Sequence, residues 1–189
     1  MGRVNDIYLQ YKEQLVKLLK LTVVPGKRFA VMPSQALLTE MGMRMVAGCF
    51  NFRGVAGEEA LLPTFYNVAG NTSSVPMVCA IVSGRASVRG LMVNGLMIEA
   101  GLVQGANLGW GANNNKKSTL IVTETLIDGS NAECIATTLK RAGFEPVAVV
   151  TLVDYQENHA AALLSAKLRI PVYAITTKEE LLAPLPEEE

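Results

Sequence analysis

Histidine is nearly absent from this chain: His159 is the only one in 189 residues. Cysteine is scarce too. Cys49, Cys79 and Cys134 lie far apart, and no two of them have CxxC spacing. A zinc site built from His and Cys therefore lacks its raw material. An odd number of cysteines, each in an apolar context, points away from a disulfide framework and toward buried thiols in a reducing compartment. Neither sign of charge is in excess, because Lys+Arg and Asp+Glu number 17 each. Zero net charge removes the electrostatic reason to expect nucleic acid or an anionic membrane as a partner. No apolar run has the roughly 20 residues that a bilayer-spanning helix needs. The opening "MGRVNDIYLQYKEQ" has no apolar signal core, and Asp6 stands where a myristoylation signal carries Ser or Thr. These absences lead us to expect a cytoplasmic protein.

What is present is core material. Half of the residues are apolar and only 18% are charged, which excludes a disordered chain and suits one domain of ordinary size. We expect a single domain over residues 1–189. Residues 1–54 read as an N-terminal helix, a hairpin and a second helix. Residues 55–176 read as the core sheet, and 177–189 as a short helix with an acidic tail. Ile7, Tyr11, Leu15, Leu18 and Leu19 share one face of a helix over 6–20. Pro25-Gly26 marks the hairpin turn, and Ser34 is placed to cap the helix that follows. "GVAGEEALLPTFYNVAG" reads as a loop and then a helix weakened by Pro63, and "VPMVCAIV" as a buried strand. Residues 83–117 are rich in Gly and Asn and read as a long excursion holding one or two weak hairpin strands. Trp110 in that excursion suits either a contact surface or a packed hairpin tip.

The last third is the most regular. Strands at 119–123, 147–153 and 171–175 alternate with helices at 131–142 and 157–168, and Gly143 is placed to end the first helix. This alternation predicts a parallel sheet with helices on its faces. In such a sheet, ligands sit beyond the carboxyl ends of the strands. Residues 123–131, "TETLIDGSN", occupy such a place. Two meanings compete there. Backbone N–H groups at the start of a helix hold anions. Alternatively, Ser130 and Glu133 form an S-x-x-E capping box behind an Asp128-Gly129 turn, with no ligand at all.

A resemblance bears on the choice. "LIVTETLIDGSNAECIATTLKRAGFEPVAVVTLVDYQE" followed by "LRIPVYAITTKEELL" resembles the C-terminal half of orotate phosphoribosyltransferases. "TLVDYQE" and "IPVYAITTKEEL" carry the closest match. Upstream, "LTVVPGKRFAV" resembles the family's early hairpin, "GVAGEEALLPT" stands at its pyrophosphate loop, and "VSGRASVRG" aligns with its flexible loop. The resemblance implies an α/β fold, the type I phosphoribosyltransferase-like parallel sheet flanked by helices with an N-terminal helix and hairpin hood. It also implies a homodimer, a phosphorylated small-molecule ligand and, if the chain is active, Mg²⁺.

The residues that the resemblance assigns to chemistry depart from the family's pattern. The acidic pair that holds the donor's ribose reads Thr123-Glu124. The loop that cradles its 5′-phosphate reads Ile127-Asp128-Gly129-Ser130-Asn131, followed by Ala132. The basic side chains of the flexible loop are replaced or shifted, leaving Ser83, Gly84, Ser87, Arg85 and Arg89. The pyrophosphate loop reads Ala56-Gly57-Glu58-Glu59. An ionised Asp at about 5 Å from a phosphate costs about 3 kcal/mol per charge pair at an effective dielectric near 20. We therefore expect a catalytically degenerate member of this group that uses the fold for ligand binding, assembly or regulation. The alternative is an active phosphoribosyltransferase in which Glu124, Arg85 and Arg89 are catalytic and residues 128–132 hold phosphate; a separate, metal-rich variant would have Glu58, Glu59, Glu124 and Asp128 recruit Mg²⁺.

Overall fold

A computed structural model describes Val16, Lys17 and residues 65–71, 94–99, 102–106 and 117–183. Its centre is β4 (Ser118–Leu126), the sequence STLIVTETL, in which Thr119 through Thr123 are buried. β-branched residues dominate this run and suit a strand covered on both faces. β4 pairs in parallel with β1 (Asn67–Asn71) on one side and β5 (Glu145–Asp154) on the other. β2 (Asn94–Glu99), β3 (Leu102–Ala106) and β6 (Val172–Thr177) complete a six-stranded sheet of order β3-β2-β1-β4-β5-β6. Only the β2/β3 contact is antiparallel.

Helix α1 (Ser130–Arg141) crosses from β4 to β5, α2 (Ala160–Leu168) from β5 to β6, and α3 (Lys178–Leu182) follows β6. Ala132, Ile135, Ala136 and Leu139 recur at helical spacing and pack with Ala69, Ile121, Leu126 and Val149 of the sheet and Ala160 and Leu164 of α2. Leu120, Val122, Ala148, Val150 and Leu152 are buried as well. They alternate with Ile121 and Val149 along β4 and β5, so both faces of the sheet are covered. The end of α1 is a Schellman turn. Gly143 has φ +82°, its N–H donates to the Lys140 carbonyl, and the Phe144 N–H donates to that of Leu139.

The expected alternation of strands and helices in the last third is present, and Gly143 ends α1 as anticipated. Three details differ. β4 continues past residue 123 to Leu126. β5 starts at Glu145 instead of 147, because a register shift between Thr119 and Leu120 lets Pro146 sit opposite Thr119 while Ala148 pairs Leu120. A bulge of this kind accommodates a residue with no N–H to give the ladder. The helix expected from 157 starts at Ala160, because Gln156, Asn158 and His159 all have left-handed backbone.

A larger correction concerns residues 67–71, expected at the end of a helix. They form β1, hydrogen-bonded between β2 and β4. Pairing on both sides overrides the poor strand propensity of Asn67, Gly70 and Asn71. The hairpin expected within 83–117 exists as β2 and β3, and β2 joins the main sheet. Val16 and Lys17 are helical, as the 6–20 pattern predicts. The rest of that helix, the Pro25-Gly26 hairpin, the Ser34 helix, the 75–82 strand and Trp110 lie outside the described residues. No helix among the described residues is long and apolar enough to cross a membrane.

Candidate ligand site at the carboxyl end of β4

The carboxyl end of β4 carries the two residues singled out by the sequence. Thr123 is 2% exposed, and its Oγ1 has no hydrogen-bond partner. Glu124 is half-buried, and its Oε1 is buried with no partner. A hydroxyl and a carboxylate oxygen left unpaired in the interior are costly, and native proteins keep few of them. Both lie at the sheet edge where parallel α/β proteins keep their ligands.

The loop between β4 and α1 is built on Asp128 and Gly129. Asp128 is exposed. Its Oδ1 accepts from the Ser130 backbone N–H at 2.9 Å and from the Ser130 hydroxyl at 2.7 Å. These bonds hold the Asp128 carboxyl below its ordinary value of 3.8. Gly129 is the N-cap of α1, with φ +80° and no side-chain cap.

The expected Ser130/Glu133 capping box is therefore not formed. Ser130 is the first residue of the helix, and its hydroxyl is spent on Asp128. The Glu133 N–H donates to the Gly129 carbonyl, and the Glu133 carboxylate pairs with Lys167 of α2 at 2.6 Å. An Asp two residues ahead of a free N–H is the stronger local acceptor, because it is charged. Asn131 is exposed, whereas Ala132 packs in the core. Only the backbone of Ala132 is then available to a ligand.

Gly129 gives a direct test of this loop. A Cβ there would meet Leu164 side-chain atoms at 3.5 Å, an ordinary contact. Gly129→Ala should thus cost only its left-handed backbone, about 1–2 kcal/mol, in a urea titration.

The neighbouring strand ends are polar and locally satisfied. Tyr155 N–H donates to the Leu126 carbonyl at 2.9 Å, tying the end of β5 to that of β4. Asp154 Oδ1 accepts from Gln156 N–H at 2.8 Å. At the end of β6, Thr177 and Glu180 form a true capping box, and the Thr176 hydroxyl donates to Glu180 Oε2 at 2.8 Å. The T-x-x-E spacing of Thr177 and Glu180 announces that box in the sequence as plainly as Ser130 and Glu133 announce one that does not form. His159 is exposed at the start of α2.

The structure thus brings Thr123, Glu124, Asp128, Gly129, Ser130, Asn131 and Ala132 to one stretch, the end of β4 and the start of α1. Ala56, Gly57, Glu58, Glu59, Arg85 and Arg89 lie outside the described residues. Among the described residues, no three His, Cys, Asp or Glu side chains gather as a metal-holding group.

No family model matches the chain, and no curated protein matches it in sequence. Solved structures do match. Orotate phosphoribosyltransferase of Mycobacterium tuberculosis H37Rv in complex with inorganic phosphate aligns over 91% of this chain and 98% of its own, with TM-score 0.63 and 15% identity. A phosphoribosyltransferase from Corynebacterium diphtheriae aligns over 92% of this chain and 99% of its own, with TM-score 0.63 and 21% identity. The M. tuberculosis enzyme in complex with 5-phospho-α-D-ribosyl 1-diphosphate gives TM-score 0.62 and 17% identity over 90% and 98% of the two chains. The fold is that of the type I phosphoribosyltransferases, and the structural neighbours include orotate phosphoribosyltransferases.

Proposed function

We propose that this chain is an orotate phosphoribosyltransferase-like protein in which efficient phosphoribosyl transfer has been lost. In this proposal the inherited cleft serves ligand binding, assembly or regulation, in a cytoplasmic homodimer. The observation that carries it is the end of β4. The family pattern that the sequence resembles has two carboxylates there, and this strand has Glu124 beside a buried Thr123 hydroxyl. One carboxylate offers half the charge and half the acceptor oxygens of a pair to two neighbouring ribose hydroxyls and their metal. The replacement of basic residues around Arg85 and Arg89, and the acids Glu58 and Glu59, work in the same direction. Pyrophosphate leaves as a concentrated negative charge, and its departure needs positive groups placed in advance. The test is turnover of orotate and phosphoribosyl pyrophosphate with Mg²⁺ by the purified full chain. No turnover above background is expected, and a kcat on the order of 10 s⁻¹ would overturn the proposal.

One observation favours an active enzyme instead. Glu124 Oε1 is buried and unpaired, as a ribose-binding carboxylate would be before its substrate arrives. In that case Glu124 would hold the ribose, and the backbone N–H groups of residues 129–132 would meet the phosphate. Glu124 would be the described residue to help hold Mg²⁺, which would supply charge neutralisation for the departing pyrophosphate. Glu124→Ala would abolish whatever turnover the assay finds.

A further inference from the structure

We propose that Asp128 is a built-in anion that excludes phosphorylated ligands from the β4–α1 loop, so that the ligand of this edge is neutral or cationic at its end nearest the helix. The inference rests on the proposed function, because it takes this loop to be part of the ligand cleft. It goes further by naming the residue that sets specificity and the class of ligand it turns away.

Three observations carry it. First, the strongest anion attractor at this edge is already engaged. The start of α1 offers backbone N–H groups and the positive end of a helix dipole, and Asp128 Oδ1 sits on the Ser130 N–H and hydroxyl at 2.9 and 2.7 Å. A phosphate at this helix end would displace that carboxylate or stand beside it, and an exposed, ionised Asp repels it in either case. Second, the edge still asks for a ligand. Thr123 Oγ1 and Glu124 Oε1 are buried at the end of the same strand without partners. A carboxylate oxygen is satisfied by a hydroxyl, amide or ammonium donor, not by another anion. Third, the adjoining strand ends carry acids, and their cation is already placed on an aromatic ring. Asp154 is buried at the end of β5, Glu180 caps α3 after β6, and Lys178 is turned over the Tyr155 ring at 5.5 Å.

The test uses the full chain, with inorganic phosphate and ribose 5-phosphate as probes. Binding is followed by calorimetry and by the amide resonance of Ser130. The unsubstituted protein should show no saturable binding of either probe and no movement of that resonance. Asp128→Ala frees the N–H and removes the charge, and, because Asp128 is exposed, should gain phosphate affinity on the order of fivefold at low salt. Asp128→Asn keeps an acceptor on the Ser130 N–H, and with it the turn, but removes the charge. It should show a smaller gain and guards against a folding defect in the alanine variant. Saturable phosphate binding by the unsubstituted protein with movement of the Ser130 resonance overturns the inference. So does the absence of any gain in both variants. Phosphate binding without orotate turnover would overturn this inference alone and leave the proposed function standing, whereas turnover would overturn the proposed function itself.

Discussion

Thr123→Asp, which would place a second carboxylate beside Glu124, should destabilise the protein by about 3 kcal/mol at pH 7. Thr123 is 2% exposed, and its own hydroxyl finds no partner. A carboxylate in its place would be buried where the Thr123 hydroxyl finds no partner, and its nearest acidic neighbour in sequence is Glu124. Burial and a like charge both push a carboxyl pKa upward. Each unit of that shift is worth about 1.4 kcal/mol. The sign sets the pH dependence. With a folded-state pKa above the unfolded value near 3.9, the penalty is absent below about pH 4, where both states are protonated. It grows as pH rises toward the folded pKa and is complete above it. Urea titrations of the two proteins at pH 4 and pH 7 measure this directly. Equal stability at pH 7 would show that position 123 tolerates a charge. A two-carboxylate clamp would then be one substitution away, and the case for a lost donor site would weaken. The expected result says the reverse: position 123 is packed for a small neutral side chain and does not accommodate a second carboxylate beside Glu124.

How far the sequence announces this arrangement depends on where the information is local. β4, α1, β5, α2 and β6 are legible because β-branched apolar runs alternate with helical stripes such as Ala132, Ile135, Ala136 and Leu139. β1 is not legible. Asn67, Gly70 and Asn71 are poor strand residues, and only hydrogen bonding to β2 and β4 makes them a strand. The place of the candidate loop is legible too, since residues 123–131 do lie at the carboxyl end of the sheet. Its internal geometry was not. The S-x-x-E spacing of Ser130 and Glu133 is formally a capping signal, but a signal of that kind records which residues are able to bond, not which competitor wins. Asp128 wins because an ionised acceptor makes the stronger bond to the Ser130 N–H and recruits the Ser130 hydroxyl as well. Glu133, released from the cap, pairs with Lys167 of a different helix, a tertiary contact that no local pattern encodes. The burial of Thr123 is likewise a property of the packed sheet. The sequence says only that Thr123 precedes Glu124, while the structure adds that Thr123 is enclosed.

Leu126→Ala should cost about 3 kcal/mol, within the range measured for buried Leu→Ala substitutions, and it should do so at the root of the candidate loop. Leu126 is 1% exposed and belongs to the buried cluster that joins β4 to α1 and α2 through Ala132, Ile135 and Leu164. Its carbonyl accepts the Tyr155 N–H, so its backbone also ties β4 to the end of β5. The substitution removes side-chain volume from a cluster already held by backbone hydrogen bonds on both neighbouring strands, so collapse into the cavity is limited and the loss does not fall below that range. Ile127, Asp128 and Gly129 follow immediately. The Asp128–Ser130 turn is short, and it has little of its own to hold it except those two hydrogen bonds and the Glu133 N–H bond to the Gly129 carbonyl. Leu126 is therefore the residue through which core packing positions the loop. Urea denaturation should show the loss of stability, and amide exchange at Ser130 should accelerate by more than at Ile135, in the second turn of α1. Uniform acceleration across α1 would instead mean that the helix and the loop open together, with the loop positioned by the whole helix and not by the end of β4.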